Sequence, residues 1–199
     1  DLGLDASDAY LAFARSHCPD PRAQFAPGDA NALSFPSTSF DVAVSGLALN
    51  FIKFDRALAE QYRVVRPGGV IAAYVWDYSG EYEFARRFWD AALKVDPRAA
   101  AYDPGSKAKI CHEPALKQAL GTVGCTKVQT RAFDDWGEFP SRDAYWYTFD
   151  GRQGSTYEYL SLLTKEQRLD LKESLFSALP PQGPVKLKIR ALAVKGIRR

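Results

Sequence analysis

Two acids 24 positions apart could serve one ligand. Asp5 closes the short apolar run Leu2-Gly3-Leu4, and Asp29 follows Gly28 at the end of another. In an open α/β sheet, ligands bind beyond the carboxyl ends of the strands, and an acid there can take both hydroxyls of a ribose. A second carboxylate on the neighbouring strand can accept a hydrogen bond from an adenine amino group. The N–H of the next residue, Ala30, can serve a ring nitrogen. Alone, Asp5 reads as readily as a cap or turn residue, and Asp29 reads more readily as an ordinary turn residue after Gly28. Together, in register on adjacent strands, they favour an adenosine pocket.

Other chemistries find less support. Cys18, Cys111 and Cys125 form no C-x-x-C pair, and three is an odd number, so neither a disulfide framework nor a zinc site is expected. A reducing, cytoplasmic setting fits better. His17 and His112 are the two histidines and lie far apart, and G-x-S-x-G does not occur. That leaves a Ser-His-Asp triad or a histidine metal site without a basis, and no metal is expected. A net charge of +2 without a basic block gives no case for nucleic acid. The terminal Lys195, Arg198 and Arg199 read as a solvated tail. No apolar run reaches the ~18 residues of a membrane span. The chain contains no methionine, so Asp1 is expected to lie inside a longer gene product.

The elements that must position the acids follow from periodicity. Ser7 can cap a helix through Leu11 and Ala14, which Pro19 and Pro21 end. Arg22 to Ala26 is a strand candidate. Phe40 to Leu49 is a nearly continuous apolar run, as for a parallel strand covered on both faces. Asp55 is a plausible cap for a helix whose Leu58, Tyr62 and Val65 share one face. Pro67-Gly68-Gly69 breaks it before a strand from Val70 to Trp76. Strand, helix, strand, loop, strand, helix, strand is the order of a parallel α/β sheet.

Beyond Trp76, Glu83 to Val95 and the stretch after Pro114 read as helices, and Thr126 to Phe133 as a strand. Trp136 to Tyr159 is rich in aromatic residues. Thr164 and Gln167 form a capping box for another helix. Val185, Leu187 and Ile189 alternate with Lys186, Lys188 and Arg190, which argues for a half-exposed, antiparallel strand near a sheet edge.

These residues resemble a family. Gly3-Leu4-Asp5-Ala6-Ser7, Gly28-Asp29-Ala30-Asn31-Ala32-Leu33-Ser34-Phe35-Pro36, Ser39-Phe40-Asp41, Val44-Ser45-Gly46-Leu47-Ala48-Leu49-Asn50-Phe51 and Arg63-Val64-Val65-Arg66-Pro67-Gly68-Gly69 stand in the order and spacing of the class I S-adenosylmethionine-dependent methyltransferases. The likeness is to their small-molecule, type 11-like group and covers residues 1–76.

The resemblance implies a Rossmann-like α/β three-layer sandwich. Its mostly parallel seven-stranded sheet has the order 3-2-1-4-5-7-6, with strand 7 antiparallel. Thr126–Phe133 and Val185–Val194 would be strands 6 and 7, with a helical cap at 134–182 between them, all within one domain over 1–199. The resemblance implies that Asp5 binds the ribose, that Asp29 and Ala30 read adenine, and that Ala6 and Leu33 sandwich the ring. Ser45, Gly46 and Leu47 would flank the methionine part. The family's glycine-rich first motif and its strand 1 do not occur in these residues. About 30 residues, one βαβ unit, would lie upstream.

The expected activity is methyl transfer from S-adenosylmethionine to a small-molecule acceptor, with S-adenosylhomocysteine as product. A flat or apolar acceptor would suit the aromatic cluster. Candidate acceptor residues are Asn50, Trp76, Asp77, Tyr78 and Trp146, of which Asp77 could act as a base. No general base is fixed, and the oligomeric state is left open, a homodimer among the options. The alternatives are a truncated or non-catalytic domain that packs or dimerises without cofactor and, further off, an NAD(P)-dependent oxidoreductase.

Overall fold

A computed structural model describes residues 1–199 except 108, 152 and 153. Two units are distinguished. The first comprises Asp1–Val75, Pro114–Thr130 and Ala193–Arg199; the second comprises Trp76–Glu113 and Arg131–Leu192.

In the first unit, β1 (Leu2–Asp5) leads into α1 (Asp8–His17) and β2 (Gln24–Pro27). Ser7 caps α1 as expected, its hydroxyl accepting from the N–H of Tyr10. β1 and β2 pair in parallel, Asp5 lying opposite Pro27. A loop then reaches β3 (Phe40–Gly46), followed by α2 (Phe54–Val64) and β4 (Val65–Trp76). Lys53, not Asp55, precedes the first turn of α2, and Asp55 sits inside that turn, where a negative charge still complements the helix dipole. Ala57, Leu58, Gln61 and Val64 are buried at helical spacing.

β3 and β4 are also parallel, with a register shift between Phe40 and Val42. The Pro67-Gly68-Gly69 break is a bulge inside β4 rather than a turn before it, so the strand begins at Val65. A hypothetical Cβ on Gly69 would lie 2.5 Å from the carbonyl oxygen of Asp41. The bulge thus needs a glycine because the neighbouring strand passes so close.

β3 departs from the expected burial. Val42 and Val44 are 51% and 60% exposed. They point to one side of the strand, two residues apart, and that face is uncovered. β3 pairs with β4 along one edge, and β1 pairs with β2 along one edge; the other edge of each is open. β1 likewise is at most half-buried.

α5 (Glu113–Thr122) precedes β5 (Cys125–Phe139), and β6 (Val185–Arg198) ends the chain; the α-helices between β4 and α5, namely α3 (Glu83–Val95) and α4 (Pro104–Lys107), belong to the second unit. β3, β4, β6 and β5 form a four-stranded sheet in that order. Thr126 donates to the carbonyl of Ile197, whereas Asp134 bonds Arg190, so β5 and β6 run in opposite directions. β5 continues to Phe139, which places Trp136 on a strand rather than in a helical cap. Arg198 is no solvated tail. Its guanidinium donates to the carbonyls of Arg63 and Val65 and lies over the Tyr62 ring.

The second unit also contains α6 (Arg142–Tyr147), α7 (Gly154–Leu162) and α8 (Lys165–Ser177). The Thr164–Gln167 capping box is formed in full. Its core joins Phe88 and Trp89 of α3 to Tyr145, Phe149, Tyr159, Leu171, Leu175, Val185 and Leu187. Phe88 and Phe149 stand 4.5 Å apart, a close aromatic contact. Among the described residues, no helix is long and apolar enough to cross a membrane.

Candidate functional site

The first unit contains a cavity of about 460 Å³. Asp5, Ala6, Asp29, Ala30, Leu33, Ser45 and Gly46 all line it, drawn from three separate stretches of sequence. Leu47 does not line it.

Each acid is held by its own turn. The N–H of Ser7 donates to Oδ1 of Asp5 at 2.8 Å. The N–H and the side-chain amide of Asn31 both donate to Oδ1 of Asp29, at 2.8 and 2.9 Å. These two bonds keep the Asp29 carboxyl below its ordinary range, the main-chain bond contributing most. Oδ2 of both acids has no hydrogen bond among the described residues, and neither has the N–H of Ala30. Each acid is therefore oriented by its own turn, with one acceptor oxygen left uncommitted among the described residues.

The turn after β3 is tight. Leu47 adopts φ +52°, and its N–H donates to the carbonyl of Tyr74. At Gly46 a Cβ would meet the Tyr74 hydroxyl at 2.5 Å. Gly46 thus exposes main chain to the cavity while Leu47 sustains the bend beside it.

The lining also contains unbroken runs, Leu2-Gly3-Leu4-Asp5 from β1 and Val42-Ala43-Val44-Ser45-Gly46 from β3. Successive side chains on a strand point to opposite faces. A cavity touched by consecutive residues therefore abuts the strand's edge, not one face. The space runs between the two open strand edges, and only its carboxyl end is bounded by Asp5, Asp29 and Gly46.

Sequence reasoning missed Glu60, Arg63 and Gln61. Glu60 accepts the N–H of Leu33 at 2.7 Å. Arg63 donates to the carbonyls of Phe35 and Leu33 at 2.7 and 2.8 Å, and also to Glu60. Their spacing of three signals only an ordinary helix pair; the loop contact appears once the chain folds. Gln61 is buried and lines the cavity, and its Oε1 has no partner among the described residues.

The acceptor candidates are divided between the two units. Asn50 belongs to the first unit, and its Nδ2 is buried without a partner among the described residues. Trp76, Asp77, Tyr78 and Trp146 belong to the second unit. Asp77 is 8% exposed, and both its carboxylate oxygens are engaged, by the Ser79 hydroxyl and the N–H of Glu81. It therefore organises the loop after β4. Trp76 stacks on Tyr82 at 4.7 Å. Burial pushes the Tyr78 hydroxyl up to about 12. Trp146 lies in the aromatic core. Among the described residues, no cluster of three or more His, Cys, Asp or Glu could hold a metal ion.

Residues 2–73, which carry the whole cavity lining, match the model of the family described as "Methyltransferase domain". They belong to it. The chain is 43% identical over 70 residues to a ubiquinone/menaquinone biosynthesis C-methyltransferase of Methylobacterium nodulans. The alignment takes in 33% of this chain and 28% of that relative. Over 100% of this chain and 82% of the other, the fold is similar to the YcgJ protein of Bacillus subtilis, at TM-score 0.61 and 18% identity. A Haemonchus contortus N-methyltransferase, solved with phosphomonomethylethanolamine and S-adenosylhomocysteine, has TM-score 0.54 and 13% identity over 100% of this chain and 44% of its own. At these identities the solved structures establish a Rossmann-like α/β fold.

Proposed function

We propose that this chain is part of an enzyme that transfers a methyl group from S-adenosylmethionine to a small-molecule acceptor. One observation carries the reading: Asp5 and Asp29 leave adjacent parallel strands and border one cavity, each with an uncommitted carboxylate oxygen. That pairing fits a ribose and an adenine.

Asp5 would take the ribose hydroxyls. Asp29 Oδ2 would accept from the adenine amino group, and the Ala30 N–H would serve the ring nitrogen. Ala6 and Leu33 would flank the ring, with Ser45 and Gly46 beside the methionine part and Leu47 holding their turn. When bound, the cofactor supplies a methyl group activated on a sulfonium, so the protein's work is to position the acceptor and exclude water. Asn50 is the acceptor candidate on the first unit; its buried amide donor has no partner among the described residues, although it does not line the cavity itself. Asp77, Trp76, Tyr78 and Trp146 would then serve by shaping their own unit rather than by proton transfer. The three cysteines are free, which suits a cytoplasmic setting.

The wider frame belongs to the same proposal. The orders β2-β1 and β3-β4-β6-β5 fit 3-2 and 4-5-7-6 of the seven-stranded sheet, and the two open edges leave room for a strand 1 between them. Such a strand would present the glycine-rich loop to the methionine end of the cavity. The segments at 134–182 would form the acceptor side of a single domain.

The same open edges favour a second reading, a domain that associates through them without cofactor. Calorimetry separates the two. Micromolar binding of S-adenosylhomocysteine, with none of NADH or NADPH, supports methyl transfer. NAD(P)H binding in its place overturns it, and concentration-dependent association without nucleotide binding favours the second reading.

A further inference from the structure

We infer that Glu60 and Arg63 are positioning residues for adenine selectivity, holding the loop that reads the base. The inference rests on the adenosine reading above and extends it to two side chains outside the cavity.

Asp29, Ala30 and Leu33 all lie on the loop between β2 and β3, and all line the cavity. A loop on its own is a poor ruler, because its main chain must be fixed before its side chains can discriminate. Here both ends are fixed. At the start, the N–H of Gly28 donates to the carbonyl of Asp5, tying the loop to β1. At the far end, α2 captures both main-chain groups of Leu33. Its N–H donates to Oε2 of Glu60 at 2.7 Å, and its carbonyl accepts from Nη2 of Arg63 at 2.8 Å. Nη1 of Arg63 takes the carbonyl of Phe35 at 2.7 Å. Glu60 in turn orients the guanidinium through Nε and Nη2, each at 2.8 Å.

The chemistry needs these residue types. A guanidinium offers a rigid fork of donors, so it can hold two carbonyls and a carboxylate at once; an ammonium cannot. Both side chains are partly buried, at 34% and 20% exposure, so water competes less than at an open surface pair. Hydrogen bonding to Arg63 holds the Glu60 carboxyl below its ordinary range, which keeps it an acceptor for the Leu33 N–H. The other face of this joint is also tied down, because the Arg63 carbonyl accepts from the N–H of Thr38 and from Arg198.

A merely structural pair and a positioning pair predict different selectivity. Calorimetry should compare S-adenosylhomocysteine with its deaminated analogue, S-inosylhomocysteine, which lacks the amino group that Asp29 would read. The unmutated chain should prefer the adenosine compound by tenfold or more. Arg63→Lys should weaken the adenosine compound roughly tenfold or more while leaving the inosine compound nearly unchanged, closing the gap. Glu60→Gln should do so in part, and Arg66→Ala, which breaks an exposed pair with Asp41, should preserve the full preference. Equal losses for both nucleosides in Arg63→Lys, or none, overturn the inference while leaving the cofactor reading intact. An unmutated chain that binds neither nucleoside overturns the cofactor reading and the inference with it. Hydrogen exchange gives an arm free of mutation. The Leu33 amide should exchange slowly, and more slowly still with S-adenosylhomocysteine; exchange as fast as that of Ser34 overturns the clamp.

Discussion

The main-chain N–H of Gly28 donates to the carbonyl of Asp5 across 3.1 Å. That single bond fixes the chain just past the last β1–β2 pair, Asp5 with Pro27, and Asp29 follows two residues beyond it, so the two acids leave the same end of the β1–β2 pair. Asp5→Asn keeps an oxygen for the Ser7 N–H and removes the charge. It should weaken S-adenosylhomocysteine by roughly 10- to 100-fold, the range for a hydrogen bond to a charged group. Calorimetry measures this, and the unfolding midpoint should not move.

Gly69 and Gly68 should respond differently to alanine. At Gly69 a Cβ would sit 2.5 Å from both the Asp41 carbonyl and Cγ1 of Val65. Overpacking of this kind costs about 1–3 kcal/mol. Gly68 has open space around it but φ +78°, so its alanine variant carries left-handed strain alone, about 1–2 kcal/mol. Urea midpoints of the two variants should rank Gly69→Ala as the more damaging.

Trp89 is fully buried, and its Nε1 has no hydrogen-bond partner among the described residues. Trp89→Ala should cost about 3–5 kcal/mol, as for a large core truncation. Trp89→Phe discards the unpaired donor along with part of the ring, so it should cost less than half as much. Chemical denaturation of both variants tests the ratio.

Asp134 gives a pH signature. Arg190 bonds it at 2.6 and 2.9 Å, with Lys188 at 3.4 Å, and together they hold its carboxyl down to about 2. The folded value is thus below the unfolded one of about 3.9. The resulting stability is fully present above about pH 4 and is lost as the pH falls through about 2. The urea midpoint of Asp134→Asn should therefore approach that of the unmutated chain across this window.

The three thiols should separate by reactivity. Burial raises Cys125, and burial with the nearby Asp77 carboxylate pushes Cys111 up to about 12. Thiolate is the reactive form. Titration of the folded chain with a disulfide reagent should give one fast thiol, Cys18, with the other two appearing on unfolding.

That Asp5 and Asp29 close neighbouring strands at one end of a cavity was legible because its signals are local. An acid after an apolar run marks a strand end, and Pro-Gly-Gly marks a break whatever lies around it. The bulge inside β4 was not legible, since only the approach of Asp41 to Gly69 makes it one. The Glu60–Arg63 clamp was hidden for a related reason: its partners at Leu33 and Phe35 lie 27 and 28 positions away. The aromatic run near Trp146 misled in the other direction. Composition cannot tell a ring that lines a pocket from one that fills a core, and Trp146 fills the core. Asp77 shows the same limit, because its loop consumes the oxygens that a base would need.

The cavity's long walls are strand edges, so what they offer is peptide N–H and C=O rather than side chains. Mutation can alter Leu2, Leu4, Val42 or Val44 without altering that polar pattern. Along this stretch side chains should be free to vary while the edges keep the ladder of peptide groups that a further strand would pair with.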